Sequence, residues 1–245
     1  TGTVVLTYVD ADDVTITTVD TVVGITSFGG AVAVSTVNGF ITVDQAVDAT
    51  GAGNVVLTAN ETDGAAEDAT DEDITLNANV TGLTVTLDAA DDISQTAGAV
   101  TATNLRVLAA EGTDTADADS SLGTASLTSV TNNVAVLAAS RTSVTAGVTL
   151  TLTYVDADDL SIGTVTTVGI TTGGGNVDVS TVNGALTVDD AVNAGAGNVV
   201  LTANETDGAA EDADDEDITL DDNVTGTTVT LDAADDISQT AGAVT

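Results

Sequence analysis

Short runs in which apolar and polar residues alternate recur along the chain. In the first part they centre near Val5, Thr15, Gly24, Ala33 and Thr42, nine or ten residues apart. Alternation of this kind is typical of half-buried β-strands, and the apolar positions are mostly β-branched Val and Ile. Gly, Asn, Asp and Ser, which favour turns, lie between the runs. The pattern therefore predicts an all-β protein built from many short strands.

The spacing also indicates how the strands are arranged. Two steps make about 19 residues, which suits one coil of a parallel β-helix (β-solenoid), and we expect coils of about 19–21 residues. In such a fold each strand pairs with the next coil about 4.8 Å away, and the chain has no Pro that would interrupt the ladders. The alternative is a series of tandem β-sandwich adhesin modules, which have similar strand spacing but normally an aromatic core anchor. The chain has no Trp.

A long internal repeat organises the chain. Residues 54–101 return as residues 198–245 with four differences, and residues 6–13 return as residues 152–159. We therefore divide the sequence into a first large repeat, 1–146, and a second, incomplete one, 147–245, in one continuous solenoid. The second repeat stops at the equivalent of Thr101, so we expect the natural polypeptide or assembly to continue beyond it.

Charge and composition restrict the chemistry. The 245 residues include 39 Asp and Glu against 2 Lys and Arg, for a net charge of −37, and there is no His or Cys. Thiol and imidazole catalysis, disulfides and zinc sites are excluded, and nucleic acid would be repelled. The two cations, Arg106 and Arg141, are too few to hold an acidic sugar beside paired carboxylates. We expect no enzyme activity and no required cofactor. No apolar run is long enough for a transmembrane helix.

Clusters of Asp follow several predicted strands. Carboxylates two residues apart on an extended chain lie on one face, and several together suit Ca²⁺, which prefers six to eight oxygen ligands. The competing interpretation is a solvated acidic surface. The candidate calcium ligands are Asp10, Asp12, Asp13, Asp88, Asp91, Asp92, Asp156, Asp158, Asp159, Asp232, Asp235 and Asp236.

Four Asn-x-Thr sequons occupy matching places in the two repeats. Such sequons arise easily by chance in a chain rich in Thr, but each marks a candidate N-glycosylation site. The asparagines are Asn60, Asn79, Asn204 and Asn223.

Residues 53–59, 73–82 and 83–95, with their "ITL-N-A", "TVTL" and "ISQ-AGA" rhythm, resemble filamentous-haemagglutinin-type repeats. The resemblance implies a right-handed parallel β-helix in a large bacterial surface or secreted protein, used as an adhesin stalk or fibre. We accordingly expect an extracellular or cell-surface structural segment, joined end to end to copies of itself or to the rest of a longer chain. One alternative is a calcium-dependent adhesin that binds a host or mineral surface through its acidic loops. Another is an ice-binding solenoid, suggested by Thr rows such as residues 149–153.

Overall fold

The computed structural model describes residues 3–61, 72–109, 122–141, 147–206 and 216–245, and within these ranges all regular structure is β. The strands of the first repeat are β1 (Leu6–Asp10), β2 (Val14–Ile16), β3 (Thr18–Val19), β4 (Val22–Val23), β5 (Ile25–Thr26), β6 (Val32–Thr36), β7 (Ile41–Val43), β8 (Val47–Asp48), β9 (Val55–Ala59), β10 (Ile74–Leu76), β11 (Val80–Ala89), β12 (Ile93–Gln95), β13 (Val100–Ala109), β14 (Leu122–Leu127) and β15 (Asn133–Arg141). Those of the second are β16 (Thr149–Asp156), β17 (Leu160–Ile162), β18 (Thr164–Val165), β19 (Thr167–Val168), β20 (Ile170–Thr171), β21 (Val177–Thr181), β22 (Leu186–Val188), β23 (Val192–Asn193), β24 (Val199–Ala203), β25 (Ile218–Leu220), β26 (Val224–Thr225), β27 (Val229–Ala233) and β28 (Ile237–Gln239).

Two large parallel sheets contain nearly all of these strands. Sheet 1 has 15 strands, along the path β1-β6-β9-β11-β13-β15-β17-β22-β25-β28 with short strands beside it, and sheet 2 has nine, β2-β7-β10-β12-β14-β16-β21-β24-β27. Antiparallel pairing is confined, in the described ranges, to two small hairpins, β3–β4 and β18–β19. The fold is therefore all-β and parallel, consistent with the predicted solenoid. A β-sandwich module would be antiparallel, so the alternative prediction is not supported.

The core consists of small aliphatic side chains stacked in register between coils. One stack in sheet 1 is Val32, Val55, Val85, Leu105 and Leu137, all fully buried. Residues between these positions point outward, as the alternating burial of β6 and β9 shows. The interior is filled mainly by Val, Ile, Leu and Ala, and Tyr154 is the aromatic side chain buried among them in the described residues.

The coils are longer and less uniform than predicted. A spacing of 19 or 20 residues holds for β10–β12, β11–β13 and β25–β28, where for example Ile74 pairs with Ile93. Between the other parallel strand pairs that the structure describes the spacing is 22 to 33 residues, and Ile41 pairs with Ile74. Extra residues lie in the connections, where they leave the ladder intact because only strand residues take part in it.

The two repeats occupy the sheets differently. In the first repeat β6 and β9 lie in sheet 1 and β7 and β10 lie in sheet 2. Their sequence equivalents β21 and β24 lie in sheet 2, whereas β22 and β25 lie in sheet 1. These equivalent strands therefore lie in different sheets, whereas β5 and β8 and their equivalents β20 and β23 lie in sheet 1 in both repeats.

Candidate functional site

The candidate calcium ligands lie mostly at the corners between strands, where several of them bind the backbone. Asp92 Oδ1 accepts a hydrogen bond from the Thr124 amide at 2.6 Å, and Asp159 Oδ1 accepts one from the Ala185 amide at 3.0 Å. Both bonds join one coil to the next. These carboxylates therefore satisfy backbone amides of the neighbouring coil beside the ends of the paired strands.

The other candidate ligands are not brought together. Asp88 is half-buried, and burial raises its pKa although the Arg106 guanidinium opposes this. Asp91 is almost fully buried, whereas Asp232 and Asp236 are exposed. Within the described ranges no group of three or more carboxylates could hold a metal ion. Calcium binding stays a prediction.

The most distinctive acidic residue of the second repeat is Asp156, which is fully buried on β16. Its Oδ2 accepts hydrogen bonds from Tyr154 Oη at 2.6 Å and from the Val134 amide of the preceding coil at 3.0 Å. Its Oδ1 accepts one from the Asp158 amide at 3.2 Å. Burial raises the pKa of Asp156 to about 6, against these hydrogen bonds, which lower it. It also raises the pKa of Tyr154 well above its usual value.

The same Tyr–Asp pair occurs on β1 in a different environment. Tyr8 Oη donates to Asp10 Oδ2, and Asp10 Oδ1 accepts from the Asp12 amide at 3.2 Å. Tyr8 is 48% exposed, whereas its equivalent Tyr154 is fully buried. The hydrogen bonds from Tyr8 and from the Asp12 amide lower the pKa of Asp10. The contrast arises because β1 is the first strand of sheet 1, while β16 lies between β14 and β21.

A buried amide pair supports the coil beneath Asp156. Asn132, which is fully buried, and Gln95 exchange two hydrogen bonds, at 2.8 Å and 3.1 Å. Asn132 Oδ1 also accepts from the Val100 amide at 2.8 Å, and its Nδ2 donates to the Val155 carbonyl at 3.1 Å. One side chain thus links three coils. Neither Asn132 nor Gln95 was predicted as a site residue, because a single Asn or Gln has no distinctive signal in the sequence.

The described structure is open at both ends. At the first coil Val5, Tyr8 and Val9 are exposed. At the last, Ile237 is 50% exposed although its equivalent Ile93 is 1% exposed. The end strands β1 and β28 each pair on one side, so each presents a free backbone edge.

The sequon asparagines take part in contacts between coils. Asn60 and Asn204 donate from Nδ2 to the carbonyls of Thr36 and Thr181, at 3.2 Å and 3.1 Å. Asn79 and Asn223 accept, through Oδ1, from the amides of Ala99 and Ala243, each at 2.9 Å. A glycan on Nδ2 of Asn60 or Asn204 would compete with these bonds. Glycosylation stays a prediction.

One row of hydroxyl groups runs along the outer face of sheet 2. In register it is Thr15, Thr42, Thr75, Ser94, Ser126 and Thr153. The next residue in the row is Asp178, whose carboxylate ends the pattern. The row is one residue wide on the three-residue strands β2, β7, β10 and β12.

The two arginines bind neutral oxygens. Arg106 Nε donates to Thr167 Oγ1 at 2.8 Å, and Arg141 Nη1 donates to the Val148 carbonyl at 2.5 Å. Among the described residues no cleft combines either guanidinium with three carboxylates. In the same part of the chain no helix is long and apolar enough to cross a membrane.

Comparisons of the chain with protein-family models, with curated proteins and with solved structures find no match. The resemblance to filamentous-haemagglutinin-type repeats therefore stays a prediction made from the sequence.

Proposed function

We propose that this chain is a structural segment of an extracellular or cell-surface fibre, filament or adhesin stalk, and that it folds as a parallel β-helix. The supporting observation is that two parallel ladders run through both large repeats without interruption. The longest path in sheet 1 contains ten strands, and β15 of the first repeat pairs directly with β17 of the second. Ten strands about 4.8 Å apart make a rod about 43 Å long.

The mechanical role follows from how such a rod is held together. Each coil is joined to the next by backbone hydrogen bonds in two sheets and by the buried aliphatic stack, so bending must strain many bonds together. Corner carboxylates such as Asp92 and Asp159 add further bonds between coils. A stiff spacer needs no pocket and no catalytic group.

The open ends supply a way to extend the rod. Tyr8 at one end and Ile237 at the other are exposed, while their equivalents inside the rod are buried. A further coil, from another copy or from a longer chain, would cover these side chains and pair with the free edges. The net charge of −37 would oppose sideways association of rods while leaving this axial contact available.

Negative-stain electron microscopy of the purified chain, with calcium and with a chelator, tests the proposal. We expect thin rods that grow in length with protein concentration under both conditions. Ile237→Lys would place a charge on the exposed end and should shorten them, whereas Ile237→Val should not. Compact particles without axial growth would contradict the filament proposal, and growth only with calcium would favour the calcium-dependent adhesin.

A further inference from the structure

The described part of each repeat contains one small antiparallel hairpin that leaves the coil and returns to it. In the second repeat it is β18–β19, and in the first it is β3–β4. A glycine with positive φ ends each hairpin, Gly169 (φ 59°) and Gly24 (φ 62°). A Cβ on either would lie 2.2 Å from the carbonyl oxygen of Ala191 or Ala46 in the next coil, so only glycine fits.

The hairpin of the second repeat lies on the outside of the preceding coil. The Gly163 amide donates to the Leu137 carbonyl, and the Ala139 amide donates to the Gly169 carbonyl, both at 3.0 Å. These two bonds place residues 163–169 opposite Ala138, the one residue of β15 between them. Leu137, Ala138 and Ala139 are all fully buried. Because successive side chains point to opposite faces of a strand, both faces of β15 are covered here.

Two side-chain contacts complete this arrangement. The hairpin packs against β13 as well as β15, and Val165 within it is only 6% exposed. Arg106, on the outer face of β13, donates to Thr167 Oγ1 at 2.8 Å. Leu108, two residues further along the same face, is 5% exposed. The hairpin therefore lies over Ala138 and next to β13. On this outer surface Ala138 and Leu108 form an apolar patch beside the Arg106 guanidinium.

The hairpin of the first repeat has a longer turn: Val19 pairs with Val22 across two residues, whereas Val165 pairs with Thr167 across one. Among the described residues, β1 and β2 each have a neighbouring strand on one side only. Val19, the equivalent of Val165, is 70% exposed. The residue after it has positive φ in both hairpins, Asp20 at 56° and Thr166 at 61°. The difference is positional, since β1 and β2 are the first strands of their sheets, whereas β17 follows β15.

We propose that the hairpin β3–β4 is a clasp for a neighbouring repeat copy that stacks on the first coil. The occupant is a coil whose outer surface has the chemistry of β13 and β15: a small residue at the position of Ala138, an apolar residue at that of Leu108, and an arginine at that of Arg106. Val19 would cover the apolar patch, as Val165 does in the second repeat. This inference rests on the proposed end-to-end continuation of the rod.

The test uses a chain extended by a second copy of residues 72–146, joined ahead of Thr1, because residue 146 immediately precedes the sequence equivalent of Thr1. The protein has no cysteine, so each variant carries a single thiol. Val19→Cys reports the clasp, Val165→Cys is the buried reference and Val23→Cys, whose parent residue is 58% exposed, is the exposed control. Tyr8 reports stacking independently, through the ultraviolet absorbance of exposed phenols, since the added segment contains no Tyr.

We expect maleimide to label Val19→Cys about tenfold more slowly in the extended chain than in the parent, the ratio of the 70% exposure of Val19 to the 6% of Val165. Val23→Cys should label equally fast in both. Ala138→Glu in the added copy should restore fast labelling of Val19→Cys while Tyr8 stays buried. Buried Tyr8 with unchanged labelling of Val19→Cys would overturn the clasp and leave end-to-end stacking standing. Exposed Tyr8 in the extended chain would overturn both.

Discussion

Asp156 offers the sharpest test of the interior geometry, through Asp156→Asn. Its pKa of about 6, against an ordinary value of 3.8, corresponds to roughly 3 kcal/mol at about 1.4 kcal/mol for each pKa unit. Because the folded-state pKa is the higher one, folding takes up a proton. The resulting stabilisation is fully present below pH 3.8 and is lost as the pH rises through 6.

The measurable part of this effect lies above the isoelectric point, about 4.1. Between pH 7.5 and pH 5, linkage gives a gain of about 1.4 kcal/mol in the wild-type free energy of unfolding that Asp156→Asn cannot show. The remaining carboxylates also affect the pH dependence, but they are common to both proteins and cancel in the difference. Urea unfolding followed by far-ultraviolet circular dichroism at several pH values measures it.

The first repeat supplies the matched control. Asp10 makes the same bond to its tyrosine but has a lowered pKa, so its stabilisation is present above 3.8 and is lost only as the pH falls below that value. The free energy of unfolding of Asp10→Asn should therefore change with pH in the same way as that of the wild type between pH 7.5 and pH 5. If Asp156→Asn runs parallel as well, Asp156 is not a buried acid with a raised pKa, and the covering coil is placed wrongly.

Further substitutions test the turns and the buried amide. Gly169→Ala should lower the free energy of unfolding by about 2–4 kcal/mol, because the φ of Gly169 is 59° and an added Cβ would overlap a backbone oxygen. Gly147 has a φ of 96°, but an added Cβ there would meet no atom within 4 Å. Gly147→Ala should therefore lower the free energy of unfolding by only about 1 kcal/mol in the same urea experiment. Asn132→Ala should lose about 2–4 kcal/mol, because it leaves the buried Val100 amide without an acceptor. Asn104→Ala, which removes only a 3.3 Å bond, should lose less than about 0.5 kcal/mol, and equal losses for the two Asn variants would contradict the network.

The strands themselves were largely predictable from local pattern. The alternating runs at residues 14–16, 32–34, 41–43 and 74–76 are all strands, and their apolar residues point inward as expected. This works because a period of two fixes the face of each side chain without reference to the rest of the chain.

The predicted coil length was wrong for most strand pairs, because the spacing of strands along the sequence does not say which strand pairs with which. The sequence contains one sign of the hairpins. Nine residues separate Ile16 from Ile25, but only eight separate Ile162 from Ile170, and a length change between copies marks a surface excursion. The environments of Tyr8 and Tyr154 could not be distinguished at all, since their local sequences are the same and the difference comes from a coil distant in sequence.

The exchange of sheets between the two repeats has a consequence for how rods meet side by side. β9 lies in sheet 1 and β10 in sheet 2, whereas their equivalents β24 and β25 lie in sheet 2 and sheet 1. The outward residues of these matching strands therefore lie on different sheets in the two repeats. In the proposed rods, the faces formed by these strands would not continue from one copy to the next, which opposes the matching of identical faces along two parallel rods. Flat lateral bundling is thereby disfavoured by phase as well as by charge.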